Sequence, residues 1–155
     1  MKTGFLEEAI RLSREKMEAG EGGPFGAVIV RNGRVVGRGW NRVTSTFDPT
    51  AHAEVVAIRD ACSRLATFSL AGCEIYASCE PCPMCLAAIH WARLEAIHFA
   101  ADREHAAAAG FDDQAFYAEL AKPGSERRIP ADQAMQQEAR AVLAAWSAKP
   151  DRVRY

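Results

Sequence analysis

The pair Asn32-Gly33, set between the apolar runs Gly26–Arg31 and Arg34–Trp40, narrows the fold more than any other feature of this chain. Both central residues of a tight type I′ turn need positive φ, which asparagine and glycine accept most readily, so the pair predicts a two-residue β-hairpin. A sheet that begins this way begins antiparallel. After the hairpin the pattern alternates: Pro49 and Thr50 open a helical pattern over Ala51–Arg64, Glu74–Ser78 reads as a short buried strand, Pro81 opens a second helix to about Arg93, and Ala96–Ala100 reads as a further strand. Ahead of the hairpin, Leu6, Ala9, Ile10, Leu12 and Met17 fall near helical spacing within Phe5–Met17, and Gly20–Pro24 ends that helix. Strands alternating with helices over short links give a parallel core covered on both faces. The expected fold is therefore α/β, a three-layer α/β/α sandwich whose mixed central sheet joins the N-terminal hairpin to parallel strands.

From Asp102 the chain turns Ala-rich and helical, breaks at Lys122-Pro123-Gly124, and ends in a helix around Gln137–Ala148 followed by the polar tail 149–155. The pattern of Ile129–Met135 does not decide whether it forms an edge strand. Length allows one domain over 1–155, and no repeat or low-complexity linker divides it.

Nineteen basic and twenty acidic residues give a net charge of -1, so the chain lacks the broad positive field that draws proteins to phosphate backbones, and a nucleic-acid partner is not favoured. Glu7, Glu8 and Arg11 occupy the first turns where an export signal would be apolar, and Arg93, Glu95 and His98 interrupt the longest apolar stretches. Neither export nor membrane insertion is expected. Cysteines are odd in number, five, and three of them crowd into Cys79, Cys82 and Cys85, a spacing that suits a metal better than a disulfide framework. A reducing cytoplasm is the expected location.

The chemistry concentrates at two helix starts, His52-Ala53-Glu54 and Pro81-Cys82-Pro83-Met84-Cys85. Helix N-termini that follow strands of one open α/β sheet gather at the edge where sites form, so the two segments should converge. Cys82 and Cys85, at i and i+3, face the same way, and the positive helix end favours their thiolates. Two thiolates and one imidazole leave the fourth tetrahedral position of a zinc ion to water, the arrangement of a catalytic site with one Zn2+ per chain. Because two thiolates cancel the charge of the ion, a separate group must carry protons, and Glu54 stands where it can. His-x-Glu alone is weak and a lone Cys-x-x-Cys can be redox or structural. Together, as His-x-Glu followed by Pro-Cys-x-x-Cys, they form the signature of zinc nucleobase deaminases, with the glutamate as general acid/base. The competing reading is a closed structural zinc knot of Cys79, Cys82, Cys85 and His52; Glu80-Pro81 argues against it by keeping Cys79 on the strand side. His90, His98 and His105 read as surface or packed side chains, and Cys62 and Cys73 as small buried ones.

Beyond these motifs, Gly22-Gly23-Pro24-Phe25-Gly26, Asp48-Pro49-Thr50-Ala51-His52-Ala53-Glu54, Ser78-Cys79-Glu80-Pro81-Cys82-Pro83-Met84-Cys85, Gly110-Phe111-Asp112-Asp113 and the terminal Tyr155 resemble the cytidine-deaminase-like superfamily, and within it the small bacterial guanine deaminases. That resemblance covers nearly the whole chain. It implies that His52, Cys82 and Cys85 bind zinc, that Glu54 moves protons, and that Phe25 and Trp91 line a purine pocket with Ala53 beside them. It further implies that Asn41 hydrogen-bonds the base, that Asp113 contacts the base or the leaving amine, and that Tyr155, in a C-terminal lid of residues 149–155, closes the site from the partner subunit of a domain-swapped homodimer. The implied reaction is hydrolytic attack at C2 of guanine, giving xanthine and ammonia. As an N-cap for the segment that succeeds it, Asp113 has an alternative, purely structural reading. Phe25 and Trp91 fit a core equally well. Other aminopurines and amino-triazines remain open as substrates. The rival activities are those of a tRNA adenosine deaminase, which would want a basic surface and C-terminal helix that are missing here, and of a cytosine or cytidine deaminase. A non-catalytic zinc-stabilised binding module would be expected to lack Glu54.

Overall fold

The computed structural model describes residues 3–155, which cluster into two compact units, one reaching Tyr117 and the other spanning Ala118–Tyr155. In the first unit the elements run α1 (Thr3–Glu18), β1 (Gly26–Arg31), β2 (Arg34–Trp40), α2 (Val43–Thr46), α3 (Ala53–Leu65), β3 (Cys73–Cys79), α4 (Pro83–Trp91), β4 (Ala96–Ala101) and α5 (Arg103–Ala108), and α6 (Asp113–Ala121) begins there. The hairpin forms with Asn32 and Gly33 both at positive φ, 50° and 73°.

Sheet order is β2-β1-β3-β4. β1 lies between β2 and β3 and is antiparallel to both, so the parallel part of the sheet is the single pair β3–β4. The sequence pattern suggests a longer parallel core because β2 and β3 do run the same way, but the hairpin inserts β1 between them. Side chains alternate across this sheet with period two. Val28, Val30 and Tyr76 face Leu12 of α1, while Ala27, Ile29, Ile75 and Ala77 face Ala57 and Ala61 of α3 and Ile89 of α4. Fully buried residues such as Ile29 and Ile75 each contribute about 1.5–3 kcal/mol by leaving water. The result is helix, sheet, helix.

α3 sits unusually close to its strand. A Cβ on Gly39 would fall 2.1 Å from the Ala53 carbonyl oxygen and 2.3 Å from the Ala57 nitrogen, and one on Gly37 would fall 2.6 Å from the Ala61 Cβ. Two glycines on β2 thus meet alanines at i, i+4 and i+8 on α3, and backbone packs on backbone.

Ala118–Tyr155 holds the end of α6, a 3-10 turn at Gly124–Glu126 and α7 (Gln136–Ala148), and none of its residues is buried. Ile129–Met135 contains no strand. On α7, Val142, Leu143 and Trp146 are exposed; with Ala139 they form an i, i+3, i+4, i+7 stripe.

Gly39→Ala is expected to destabilise the protein by about 1–3 kcal/mol, because the added methyl displaces α3 rather than a flexible side chain. Zinc content should fall with it, since the displaced helix carries His52 at its start. Urea unfolding together with metal analysis checks this; an unchanged midpoint with full metal would show that the close approach does not hold α3.

Candidate active site

Both helices begin two residues later than the sequence suggests, at Ala53 and Pro83 in place of Ala51 and Pro81, which puts their functional residues at the caps. His52 is the N-cap of α3, which begins at Ala53, and Cys82 is the N-cap of α4, which begins at Pro83. Prolines cannot donate a backbone hydrogen bond, so Pro83 in the first turn of α4 loses nothing there. Neither N-cap side chain bonds its own helix, which leaves an imidazole and a thiol pointing away from their backbones and toward each other.

His52, Cys82 and Cys85 are brought together with their donor atoms all within 4.8 Å of one another, and Cys82 Sγ lies 3.6 Å from His52 Nδ1. Tetrahedral zinc with bonds of about 2.3 Å to sulfur and about 2.0 Å to nitrogen requires an S···N edge of about 3.5 Å. The donor set therefore fits a zinc ion in both chemistry and spacing, and it is positioned to bind one. Among the described residues no fourth side chain joins the group. Cys79 lies instead with its Sγ 3.5 Å from the Asp102 carbonyl, to which it donates, and burial pushes its thiol up to about 11. The closed knot through Cys79 is not formed. His98 stacks on Tyr76, His105 bonds Asp102 and His90 is exposed, so none of the three enters the metal group.

Charge is unevenly shared across the group. Hydrogen bonding from Cys85 and from His52 draws the Cys82 thiol down to about 4, whereas Cys85 is pushed far up because it donates toward Cys82, is buried, and faces Glu54. Cys85 Sγ is 3.4 Å from Glu54 Oε2. Glu54 is only 7% exposed, and desolvation, the dominant cause, lifts its carboxyl to about 7. A carboxyl poised there can take and release a proton near neutrality.

A cavity of about 240 Å3 opens beside these donors. Its lining includes His52, Glu54 and Cys82 together with Phe25, Asn41 and Asp113. Phe25 packs edge-on against Phe111, ring centroids 4.7 Å apart, making an aromatic wall. Asn41 is buried and its Oδ1 accepts from Gly23 N at 3.1 Å and Val43 N at 3.2 Å. Its Nδ2 is then the atom left to read a ligand. A Cβ on Gly22 would fall 2.0 Å from the Asn41 carbonyl oxygen, so that loop must carry glycine to reach the asparagine. Asp113 lies in the first turn of α6 and its carboxyl is raised, mainly by desolvation and next by the charge of Cys82. Ala53 is buried directly after His52.

Trp91 is not part of the cavity wall. It ends α4, is 62% exposed, and has Arg93 over its ring. Tyr155 ends the second unit, 72% exposed. Five wall residues have no role assigned from sequence: Gly23, Val43, Thr44, Glu80 and Phe111. Phe111 carries a signal, an aromatic two positions before Asp113; Thr44 carries none, since the turn that presents it, α2, is four polar or β-branched residues without periodicity.

Residues 2–101 match the cytidine and deoxycytidylate deaminase zinc-binding region. The chain is 52% identical to the guanine deaminase of Bacillus subtilis over 142 residues, 92% of this chain and 91% of that one. The crystal structure of a Bacillus subtilis guanine deaminase superposes with a TM-score of 0.95 at 49% identity, covering 99% of this chain and 98% of that one. Identity to the tRNA-specific adenosine deaminase of Aquifex aeolicus is 45% over 105 residues, 67% of this chain and 69% of that one.

Cys82→Ala and His52→Ala are each expected to lose the metal, while Cys79→Ala should retain about one zinc per chain, because its sulfur lies outside the donor group. Elemental analysis of the purified variants decides between three protein ligands and four.

Proposed function

Since this chain belongs to the cytidine and deoxycytidylate deaminase zinc-binding family, we propose that it hydrolyses guanine to xanthine and ammonia as a zinc-dependent aminohydrolase, acting as one deaminase domain over 1–155. The observation that carries guanine is the extent of the likeness: it runs past residue 101, where the zinc-binding region ends, to 99% of the chain. Cavity size supports a bare base, since about 240 Å3 lies below the roughly 300–1,000 Å3 of sites for larger ligands. A net charge of -1 gives no field for a polynucleotide.

His52, Cys82 and Cys85 hold the zinc. When bound, it would supply a water acidified to a pKa of about 7. Glu54 takes the proton of the attacking water and delivers it to the ring nitrogen next to C2; it then takes the proton of the new hydroxyl and passes it to the exocyclic amine, the C–N bond breaks, ammonia leaves, and the new C–O bond becomes the second carbonyl of xanthine. Phe25 and Phe111 form an aromatic wall along the base and keep water out, Asn41 Nδ2 donates to an acceptor of the base, and Asp113 receives the departing amine. Ala53, expected beside the base, is instead packed in the core at the β2–α3 contact and is not on the cavity wall.

The remaining site assignments involve a second copy. Residues 118–155 bury nothing of their own, and α7 carries an apolar stripe of Val142, Leu143 and Trp146 that matches what a partner would cover. In a domain-swapped homodimer exchanging this segment, tail 149–155 acts as a lid and Tyr155 closes the partner's site. The five thiols, among them the ligand cysteines, suit a reducing cytoplasm. No described helix is long and apolar enough to cross a membrane.

Ammonia release from a panel of guanine, adenine, cytosine, cytidine and a tRNA anticodon stem tests the substrate: guanine alone should react, and activity on the stem would replace this reading by tRNA editing. Glu54→Gln should keep the fold and zinc while kcat falls by about 10²–10⁴, as an amide cannot shuttle a proton. For the lid, Glu54→Ala and a chain lacking Arg154 and Tyr155 should each be nearly inactive; refolded together in equal amounts, half the dimers are mixed and each regains one of two sites, so about a quarter of wild-type activity returns. Full activity of the truncated chain would remove the lid role.

A further inference from the structure

Asp113 reaches the cavity from α6, yet α6 buries no residue and has no apolar face that would fix its position. Something other than the core must set how far its carboxylate stands from the metal donors. Tyr117, one turn further along and on the same helical face, donates its hydroxyl to the carbonyl oxygen of Pro81 at 2.8 Å. Pro81 is the residue before the ligand Cys82. The guanidinium of Arg103 lies over the Tyr117 ring, 4.3 Å from its centroid. Arg103 in turn grips Glu80 on both oxygens, through Nη2 to Oε1 at 3.1 Å and Nε to Oε2 at 3.3 Å, while its backbone N–H donates to Oε2 at 3.0 Å. Glu80 is itself held to the sheet edge, its N–H donating to the Ala101 carbonyl at 2.8 Å. From β4 to α6 these contacts make one continuous strut: Ala101, Glu80, Arg103, Tyr117 and Pro81.

We propose that Tyr117, backed by the Arg103–Glu80 pair, is a positioning residue that fixes Asp113 relative to the zinc-ligand loop and so tunes catalysis without touching substrate. The proposal rests on the role of Asp113 in the guanine reaction. A short hydrogen bond to the loop that carries a ligand is a sensitive place for such a strut, because the start of α6 is only about 6 Å of helix rise from Tyr117. A tilt there moves the Asp113 carboxylate by a comparable fraction of an ångström or more, and a misplacement of about 1 Å costs on the order of 10² in rate. The planar fork of Arg103 suits the role, since it pairs with a carboxylate edge-on while offering its flat face to a ring.

Tyr117→Phe keeps the ring under Arg103 and deletes only the bond to Pro81. It should lower kcat roughly tenfold, with KM, zinc content and melting temperature nearly unchanged. The deciding measurement is a double-mutant cycle with Asp113→Asn: if Tyr117 acts through Asp113, adding Tyr117→Phe to Asp113→Asn brings no further loss, whereas independent, additive losses overturn the proposal. Should Tyr117→Phe fail to fold, Arg103→Lys tests the same strut, with a smaller kcat loss that must also vanish in the Asp113→Asn background. Amide hydrogen exchange gives a readout that needs no turnover: exchange in the first turns of α6 should speed up in Tyr117→Phe, and unchanged exchange overturns the strut whatever the substrate. Full activity of Asp113→Asn on guanine would instead overturn the role of Asp113, and absence of guanine turnover by the wild type would overturn the substrate, each separable from the exchange result.

Discussion

The site depends first on the contact between β2 and α3, where Gly37 and Gly39 let the helix backbone sit against the strand backbone. Packed interiors are dense, and an added methyl at such a place has nowhere to go. With no side chains between them, strand and helix are locked at a fixed separation, and the N-terminus of α3 lands at the end of the sheet where β3 hands over to α4. His52 and Glu54 therefore arrive opposite Cys82 and Cys85 as a consequence of small residues more than thirty residues apart in sequence from those cysteines. Larger side chains on β2 would lift the helix away and separate the imidazole from the thiols.

Electrostatics then completes what the packing begins. The N-terminus of a helix carries partial positive charge from its unpaired N–H groups, and both ligand-bearing segments lie at such ends. Cys82 is accordingly easy to ionise, assisted by Cys85 and His52, while Glu54, in the first turn of α3 and shut off from water, is made reluctant to ionise. One fold edge thus holds a group that gives up its proton readily and another that holds on to it. That separation of acidities by environment is what acid–base chemistry at neutral pH requires.

Beyond the metal group, order is supplied by a few directed contacts rather than by a core. Asn41 is held by Gly23 and Val43, Phe25 by Phe111, and α6 by Tyr117. These sit on loops and short helices around a rigid sheet, the usual division between a scaffold and the residues that meet a ligand. The fold neighbour at a TM-score of 0.95 has the same scaffold, and residues 118–155, without buried side chains of their own, complete the chain.

Whatever is written within about one turn of chain could be read directly from the order of residues. Asn32-Gly33 set the hairpin, the alternation of apolar runs set strands and helices, and the spacing of Cys82 to Cys85 set which two thiols point the same way. Family motifs added the kind of chemistry. Relations between distant segments came from the three-dimensional packing: that β1 intervenes between β2 and β3, that the Cys79 thiol finds its partner in the Asp102 carbonyl, that Trp91 stands outside the cavity, and that Glu80, Arg103 and Tyr117 connect the sheet edge to the helix of Asp113. The physical reason is that periodicity reports which face of an element is apolar but not which other element covers it. Covering is settled by volume and backbone clearance across the whole core, where a methyl group at Gly39 counts for as much as any catalytic side chain.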